Sequence, residues 1–364
     1  MRISRLTLHD FRNYADATID FSDSISVLVG DNAQGKTNLL EAVVFLSTGR
    51  SHRVSDEAHC IRQGQTSAII QAHTENASPF ELKVVLHDQG KSLFIQNQLV
   101  RKSSDFIGKL NAVLFSPGDL ELFEASPRAR RRFLDTEIGK INPVYVDALS
   151  KANRFLKDRN ALLKAPSVDD VMVEVLTERL IDVSVDVIRL RSAFTQRLDA
   201  HLTRYYQALA LSDSRVGIMY TGVTDFDPQT AQRLRELYQK HRERDRFLKS
   251  TSVGIHRDDL RFTLDGHPVD EWASQGQRRL IVIALKCALV AVIEEITGEK
   301  PILLLDDVFS ELDASRRKAL FTTLHRNTQT LISTTDLHHV SDWLHDSVSV
   351  YTVTDGHVEE RNRL

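Results

Sequence analysis

Cysteine is nearly absent from this chain of 364 residues, which holds only Cys60 and Cys287. The two lie far apart and no CxxC occurs, so there is no disulfide framework and no zinc site to propose, and both thiols are expected to be reduced. Glycine, at 15 residues, and proline, at 8, are too sparse for a fibrous or low-complexity chain. Long hydrophobic runs are missing too: none reaches the roughly 18 residues that cross a bilayer. The nearest approach, Leu280 to Ile296, is broken by Lys286, Glu294 and Glu295. The opening MRISRLTLHDFRNY has no apolar secretory core, so the expectation is a cytoplasmic protein without a membrane partner. Positive charge is not in excess, with 47 Lys and Arg against 50 Asp and Glu and a net charge of −3. Any affinity for nucleic acid must therefore come from a local basic patch rather than the overall field.

What remains is an ordinary globular composition, 41% hydrophobic and 27% charged, enough for a large core or two lobes. Its sharpest local signal is GDNAQGKT, residues Gly30 to Thr37. Ile25, Val27, Leu28 and Val29 precede it as an apolar run, and Asn38 to Leu46 follow with helix formers and no glycine or proline. That order is strand, loop, helix, the context a phosphate loop requires. Gly30 and Gly35 let the backbone curl so that successive N–H groups and a helix N-terminus face a polyphosphate. Lys36 would reach the β and γ phosphates, and Thr37 would offer its hydroxyl to a magnesium ion bridging them. The expected nucleotide-binding residues are Gly30, Asp31, Asn32, Ala33, Gln34, Gly35, Lys36, Thr37 and Asn38.

A second half of the site is legible further on. Pro301 to Asp307, PILLLDD, predicts a buried parallel strand ending in two carboxylates. Asp306 would hold the magnesium shell, and Asp307 would orient, or take a proton from, the attacking water; with Lys36 it is the expected catalytic residue. Adjacent side chains on a strand point to opposite faces, so the strand must twist or stop at this pair. Ser274, Gln275, Gly276 and Gln277 open a strongly apolar helix that Gly298 stops, a further anion site at a helix N-terminus. One chain does not need two clamps for one phosphate. The economical explanation is that the Ser274 clamp closes on ATP held by the Gly30 loop of a second copy, in a head-to-tail homodimer.

Between these halves the pattern changes twice. Residues 2 to 8 and Ala17 to Phe21 read as strands, and Ala68 to Ala72, Glu81 to His87 and Leu93 to Gln96 as a β meander. Val113 to Phe115 is a short apolar run closed by Ser116, Pro117 and Gly118, an expected lobe boundary. From Leu176 to Leu209 apolar residues recur every three or four positions, predicting a long helix, a short arm, with a preceding helix through Tyr145, Ala152 and Leu163 packed on it. Arg128, Arg130, Arg131 and Arg132 cluster beside this insertion, and residues 233 to 249 hold seven Lys or Arg against three acids. Together they lean toward DNA phosphates, although a solvated helix face with i,i+4 ion pairs explains either segment alone. Arg50 and Arg53, in a loop after the phosphate-loop helix, are expected to be solvated.

The four nucleotide elements, in this order, resemble an ATP-binding-cassette head of the SMC type. Gly30 to Thr37 matches Walker A, Ser274 to Gln277 the signature motif, Ile302 to Asp307 Walker B and Ser310 to Asp313 the D-loop. Within that group the chain resembles the RecF family of bacterial recombination proteins. The stretches that carry this are LHDFRNY at 8 to 14, GDNAQGKTNLLEA at 30 to 42, LFSPGDLELFEASPRARRRFLD at 114 to 135, GIHRDDL at 254 to 260, SQGQRR at 274 to 279 and LLLDDVFSELD at 303 to 313. SMC relatives have a glutamate at Asp307 and arms of hundreds of residues. Ile255 replaces a family proline, no glutamine marks a Q-loop near Phe115 to Pro117, and Ser333, Thr334, Thr335 and Asp336 stand where transporter cassettes have a switch histidine.

The implied fold is α/β: an ABC/SMC-like P-loop ATPase head, at 1–115 and 255–364, with an inserted, mainly helical lobe at 116–254. The resemblance implies weak, dimer-dependent ATP hydrolysis with magnesium, coupled to binding of duplex DNA at gaps. It also implies partnership with RecR and RecO, loading of RecA at single-strand gaps, and support of replication restart and the SOS response. Two rivals stay open. A small-molecule kinase built on the same loop leaves SQGQ and SELD without a role, and a passive scaffold is at odds with all four elements being present.

Overall fold

The computed structural model describes residues 1–21, 24–75, 79–124, 126–324, 328–338, 340 and 348–361. Their contacts divide into two units, one of residues 1–120, 204–213 and 279–364, the other of 121–203 and 214–278. Residues 255–278, assigned to the ATPase core on sequence, thus cluster with the second unit.

Two six-stranded sheets build the first unit. One is antiparallel, formed by β1 (Ile3–Phe11), β2 (Tyr14–Asp20), β4 (Ser67–Thr74), β5 (Glu81–His87), β6 (Gly90–Ile95) and β7 (Gln98–Leu99) in the order β2-β1-β4-β5-β6-β7. Along β4 and β5 buried and half-buried residues alternate, as expected of a sheet with one face on a core. The other sheet comprises β3 (Ile25–Val29), β8 (Ala112–Phe115), β12 (Ile302–Asp306), β13 (Thr330–Thr334), β14 (Val348–Thr354) and β15 (His357–Arg361), ordered β15-β14-β3-β13-β12-β8. Its pairings are parallel except β14 with β15. The apolar run Val113 to Phe115 is a strand of this sheet, paired in register with β12, and the first unit's opening segment ends soon after it, at Leu120.

The helix Lys36–Thr48 lies in the core that both sheets share. Leu39, Leu40, Val43 and Phe45 join Leu6 and Leu8 of β1, Ile70 of β4, Val84 of β5, Leu304 of β12 and Leu331 of β13 in one apolar cluster. A helix covered on both sides has no polar stripe, which is why its sequence is apolar nearly all round. Gln329 fastens the sheets further: its side chain accepts from Ile3 N and donates to Ile3 O, both at 2.7 Å. Among the described residues no helix is long and apolar enough to cross a membrane.

Helices dominate the second unit. The long apolar stripe forms a helix of 41 residues, Asp170–Ala210, about 62 Å long at 1.5 Å per residue, whose last turns fall in the first unit's residues. The helices Pro127–Ile141 and Pro143–Leu163 precede it, and β9 (Val216–Thr221), β10 (Asp259–Leu264) and β11 (His267–Pro268) make a small antiparallel sheet. Arg191, 2% exposed, ties these parts together. It donates to Asp258 Oδ2 and Asp135 Oδ1 at 2.8 Å each, and to Tyr145 Oη and Ile255 O at 2.9 Å. Arg159 does the same for Asp245, Thr251 and Thr177. Buried guanidiniums are tolerated here because their donors meet acceptors from several elements.

Candidate nucleotide site

Open parallel sheets place their ligands beyond the carboxyl ends of the strands. Three neighbouring strands end here in polar residues: β3 runs into Gly30, β13 ends at Thr334 and β12 at Asp306. Gly30 is required by a close approach, since a Cβ there would lie 2.2 Å from Val353 O. Gly35, the residue before the helix, has φ +121°, and a Cβ on it would meet Asn13 Nδ2 at 2.8 Å and Tyr14 Oη at 2.9 Å. Asp31, Asn32 and Ala33 are exposed, with Ala33 at φ 67°.

Lys36 curls over this loop, donating to Gly30 O at 2.6 Å and Asp31 O at 2.8 Å. An ammonium has three protons, so one remains for a phosphate oxygen. Burial pulls its pKa down, and Asp307, Asp306 and Asp31 oppose that pull. Thr37 Oγ1 donates to Asp306 Oδ1 at 2.9 Å, and Ser333 Oγ donates to the same oxygen at 2.6 Å. Burial raises the Asp306 pKa, while those two hydroxyls oppose the rise.

Asp307 resolves the geometric problem posed by two adjacent carboxylates. The strand stops at Asp306, and Asp307 takes the left-handed conformation, φ 51° and ψ 27°. Its buried Oδ1 has no hydrogen-bond partner among the described residues. A hydroxyl, a carboxylate and an unpartnered carboxylate oxygen are hard oxygen donors that suit magnesium. No cluster of three or more His, Cys, Asp or Glu forms a metal cage among the described residues. Thr37 and Asp306 could hold a magnesium ion jointly with phosphate oxygens, as when the ion arrives with a nucleotide.

Several partners of the loop were not singled out on sequence. Asn13 Nδ2 donates to Gln34 O and Asn38 Nδ2 to Asn13 Oδ1, each at 2.9 Å, while Tyr14 Oη donates to Gly35 O at 3.0 Å. Gln34 also accepts from Asp355 N and Gly356 N. Asn13 and Tyr14 fall within LHDFRNY, so the signal was present without a role attached. Glu41, 0% exposed, receives Arg12 at 2.7 and 2.9 Å and Ser51 Oγ at 2.5 Å. Burial opposes ionisation of Glu41, but Arg12, Ser51 and Arg53 together hold its carboxyl below the usual range. Arg53 is exposed, as expected, and also donates to Asn38 Oδ1 at 2.8 Å, so the loop after the helix folds back to the helix start.

Ser274, Gln275 and Gly276 are exposed in the second unit. Ser274 caps the helix Gln275–Thr297 reciprocally: Gln277 N donates to Ser274 Oγ at 3.3 Å, and Ser274 N to Gln277 Oε1 at 2.9 Å. A Cβ on Gly276 would meet nothing within 4 Å, so packing inside the chain does not demand that glycine. The arginine cluster divides. Arg130 donates to both oxygens of Asp259 at 2.7 and 2.9 Å, and Arg131 to Asp258 O at 2.6 Å, whereas Arg128 and Arg132 are exposed. Arg130 and Arg131 are thus built into their own unit. In the 233–249 segment Arg233 pairs with Asp227, Arg235 with Glu178, and Arg242 and Arg246 with Asp170.

The RecF/RecN/SMC N-terminal domain family matches residues 2–359. An Smc head domain of Pyrococcus furiosus, solved with the C-terminal domain of ScpA, shares the fold at a TM-score of 0.55 and 15% identity, covering 99% of this chain and 96% of that one. A glycine loop, its lysine and threonine, and a strand-end aspartate on this sheet define a P-loop ATPase head of the ABC/SMC class. The DNA replication and repair protein RecF of Halalkalibacterium halodurans is 37% identical over 370 residues, 99% of this chain and 100% of that one. RecF of Streptococcus equi subsp. equi is 40% identical, with 99% and 98% covered. A solved structure of the recombination mediator protein RecF with ATP, in the RecFOR pathway, superposes at a TM-score of 0.91 and 27% identity, covering 99% and 98%. The chain belongs to the RecF family of DNA replication and repair proteins.

Proposed function

We propose that this chain is an ATP-dependent DNA-binding protein of recombinational repair, a slow ATPase whose nucleotide joins two copies head to tail. The reading rests above all on the meeting of Thr37 with Asp306, 269 residues apart, at 2.9 Å. Lys36 and the loop N–H groups bind the β and γ phosphates. Magnesium, when bound with ATP, neutralises phosphate charge. Asp307 orients the attacking water and takes its proton. Ser274, Gln275, Gly276 and Gln277 reach the γ-phosphate held by the second copy, and the open space at Gly276 and the exposure of Ser274 suit an approach from outside the chain.

The joined heads clamp duplex DNA at gap junctions, with Arg128 and Arg132 among the phosphate contacts, and hydrolysis releases it. With RecO and RecR, the dimer serves the loading of RecA at single-strand gaps, and through it replication restart and the SOS response. Membership of the RecF family supports this part, as does a relative solved with ATP in the RecFOR pathway.

Light scattering tests the reading: the mass in solution is measured alone, with ATP and magnesium, and with duplex DNA added. A mass that doubles with ATP, with DNA joining the dimer, is the expected result. A monomer that binds ATP without doubling would overturn the trans arrangement.

A further inference from the structure

Ser333 stands on β13, the strand between the one that delivers the phosphate loop and the one that ends in Asp306. Its Cα is in register with Asp306 on one side and with Leu28 on the other. The residue is 1% exposed, and its hydroxyl both donates and accepts. Oγ donates to Asp306 Oδ1 at 2.6 Å, and both Oγ and the carbonyl oxygen of Ser333 lie 3.2 Å from Asp307 N, which donates to them. One side chain therefore grips both acids, giving a proton to the first carboxylate and taking one from the peptide of the second.

Each grip has a geometric consequence. Asp306 Oδ1 receives two hydroxyls, from Ser333 on the neighbouring strand and from Thr37 in the phosphate-loop helix, and two fixed donors leave a carboxylate one orientation. Asp307 occupies a left-handed conformation that non-glycine residues adopt only when their surroundings hold them there. The anchored N–H at Ser333 supplies that hold.

We propose that Ser333 is a positioning residue for nucleotide hydrolysis, setting the orientation of Asp306 through its hydroxyl and the turn at Asp307 by accepting from the Asp307 N–H. It acts at a strand end where this chain has no switch histidine. The inference rests on the reading of Thr37 and Asp306 as the pair that holds magnesium.

The test is a magnesium titration of the full chain at fixed fluorescent, non-hydrolysable ATP analogue, with binding in EDTA as the baseline. Four proteins are compared: the parent, Ser333→Ala, Thr334→Ala and Asp306→Asn. Thr334 is the control for loosening of the strand, because its hydroxyl donates to Asp336 O, away from both acids. Ser333→Ala is expected to raise the magnesium concentration at half-saturation about tenfold, the loss typical of a partner that orients a metal ligand. Baseline binding in EDTA should stay at the parent value, and Thr334→Ala should leave the half-point in place. The inference is overturned if Asp306→Asn moves the half-point while Ser333→Ala does not, or if Thr334→Ala moves it as far as Ser333→Ala. A half-point unmoved even by Asp306→Asn would instead refute the magnesium reading, and the inference would fall with it.

Discussion

Thr37 Oγ1 donates to Asp306 Oδ1 at 2.9 Å, so the first turn of the phosphate-loop helix is joined to the end of the acidic strand. Thr37→Val keeps the shape and removes the hydroxyl. ATP binding in the presence of magnesium should weaken about tenfold, the cost of one hydrogen bond to a charged group. Binding in EDTA should be unchanged, and isothermal titration under both conditions separates the two; equal losses in both would remove Thr37 from the metal's surroundings.

Lys36 already bonds two carbonyls of its own loop, at 2.6 and 2.8 Å, which holds its ammonium over the place a phosphate would take. Lys36→Met should lower ATP affinity about 100-fold, the loss of a charge-assisted contact to two phosphates, and abolish nucleotide-driven dimerisation. Equilibrium binding and light scattering report the two effects, and a dimer that forms as readily in the variant would contradict the assignment.

Ser274 has a capping role that any mutation there must be separated from. Ser274→Ala should cost about 1 kcal/mol of helix stability, as loss of an N-cap does. Ser274→Arg adds bulk to the exposed surface. It should leave ATP binding by the single subunit nearly intact while removing dimerisation and hydrolysis. Loss of monomer binding in Ser274→Arg would place the residue beside its own chain's nucleotide instead.

Arg130 and Arg132 are two positions apart and should behave differently. Arg130→Ala leaves Asp259 without its bidentate partner and should lower the unfolding temperature, at a cost of about 1–3 kcal/mol. Arg132→Glu and Arg128→Glu should instead flatten the salt dependence of DNA binding, by about 0.9 in log–log slope per lost phosphate contact. Filter or anisotropy binding across a salt series decides, and an unchanged slope would return both arginines to the solvated surface.

His52 gives a pH signature. Burial is the main cause that lowers its pKa from 6.5 to about 4, while the nearby charges Glu41, Arg53, Asp119 and Lys286 pull in alternating directions. A depressed pKa means the unfolded chain binds the proton first. The fold is therefore unpenalised above 6.5 and loses stability as the pH falls toward 4. At about pH 5 the loss from this one group is about 2 kcal/mol. Urea unfolding of the parent and of His52→Gln at neutral pH and at about pH 5 should show a shallower acid loss in the variant; parallel curves would mean that His52 is not the titrating group.

The phosphate loop was legible because its chemistry is contiguous: eight residues, two obligatory glycines and a helix whose start they form. The acidic strand was legible for the same reason, since burial on both faces writes an unbroken apolar run that ends where water begins. Periodicity carried the long helix and the meander. What sequence could not supply were the partners of these residues. Ser333 looks like any serine until β13 places it in register with Asp306. Arg130 and Arg131 look like a basic patch until Asp259 and the Asp258 carbonyl, more than a hundred residues away, come into contact with them. Local backbone demands and burial are encoded in short windows and can be read there. Hydrogen-bond pairing across distant segments exists only once tertiary structure brings donors and acceptors together, and that pairing decided that Arg130 and Arg131 are structural.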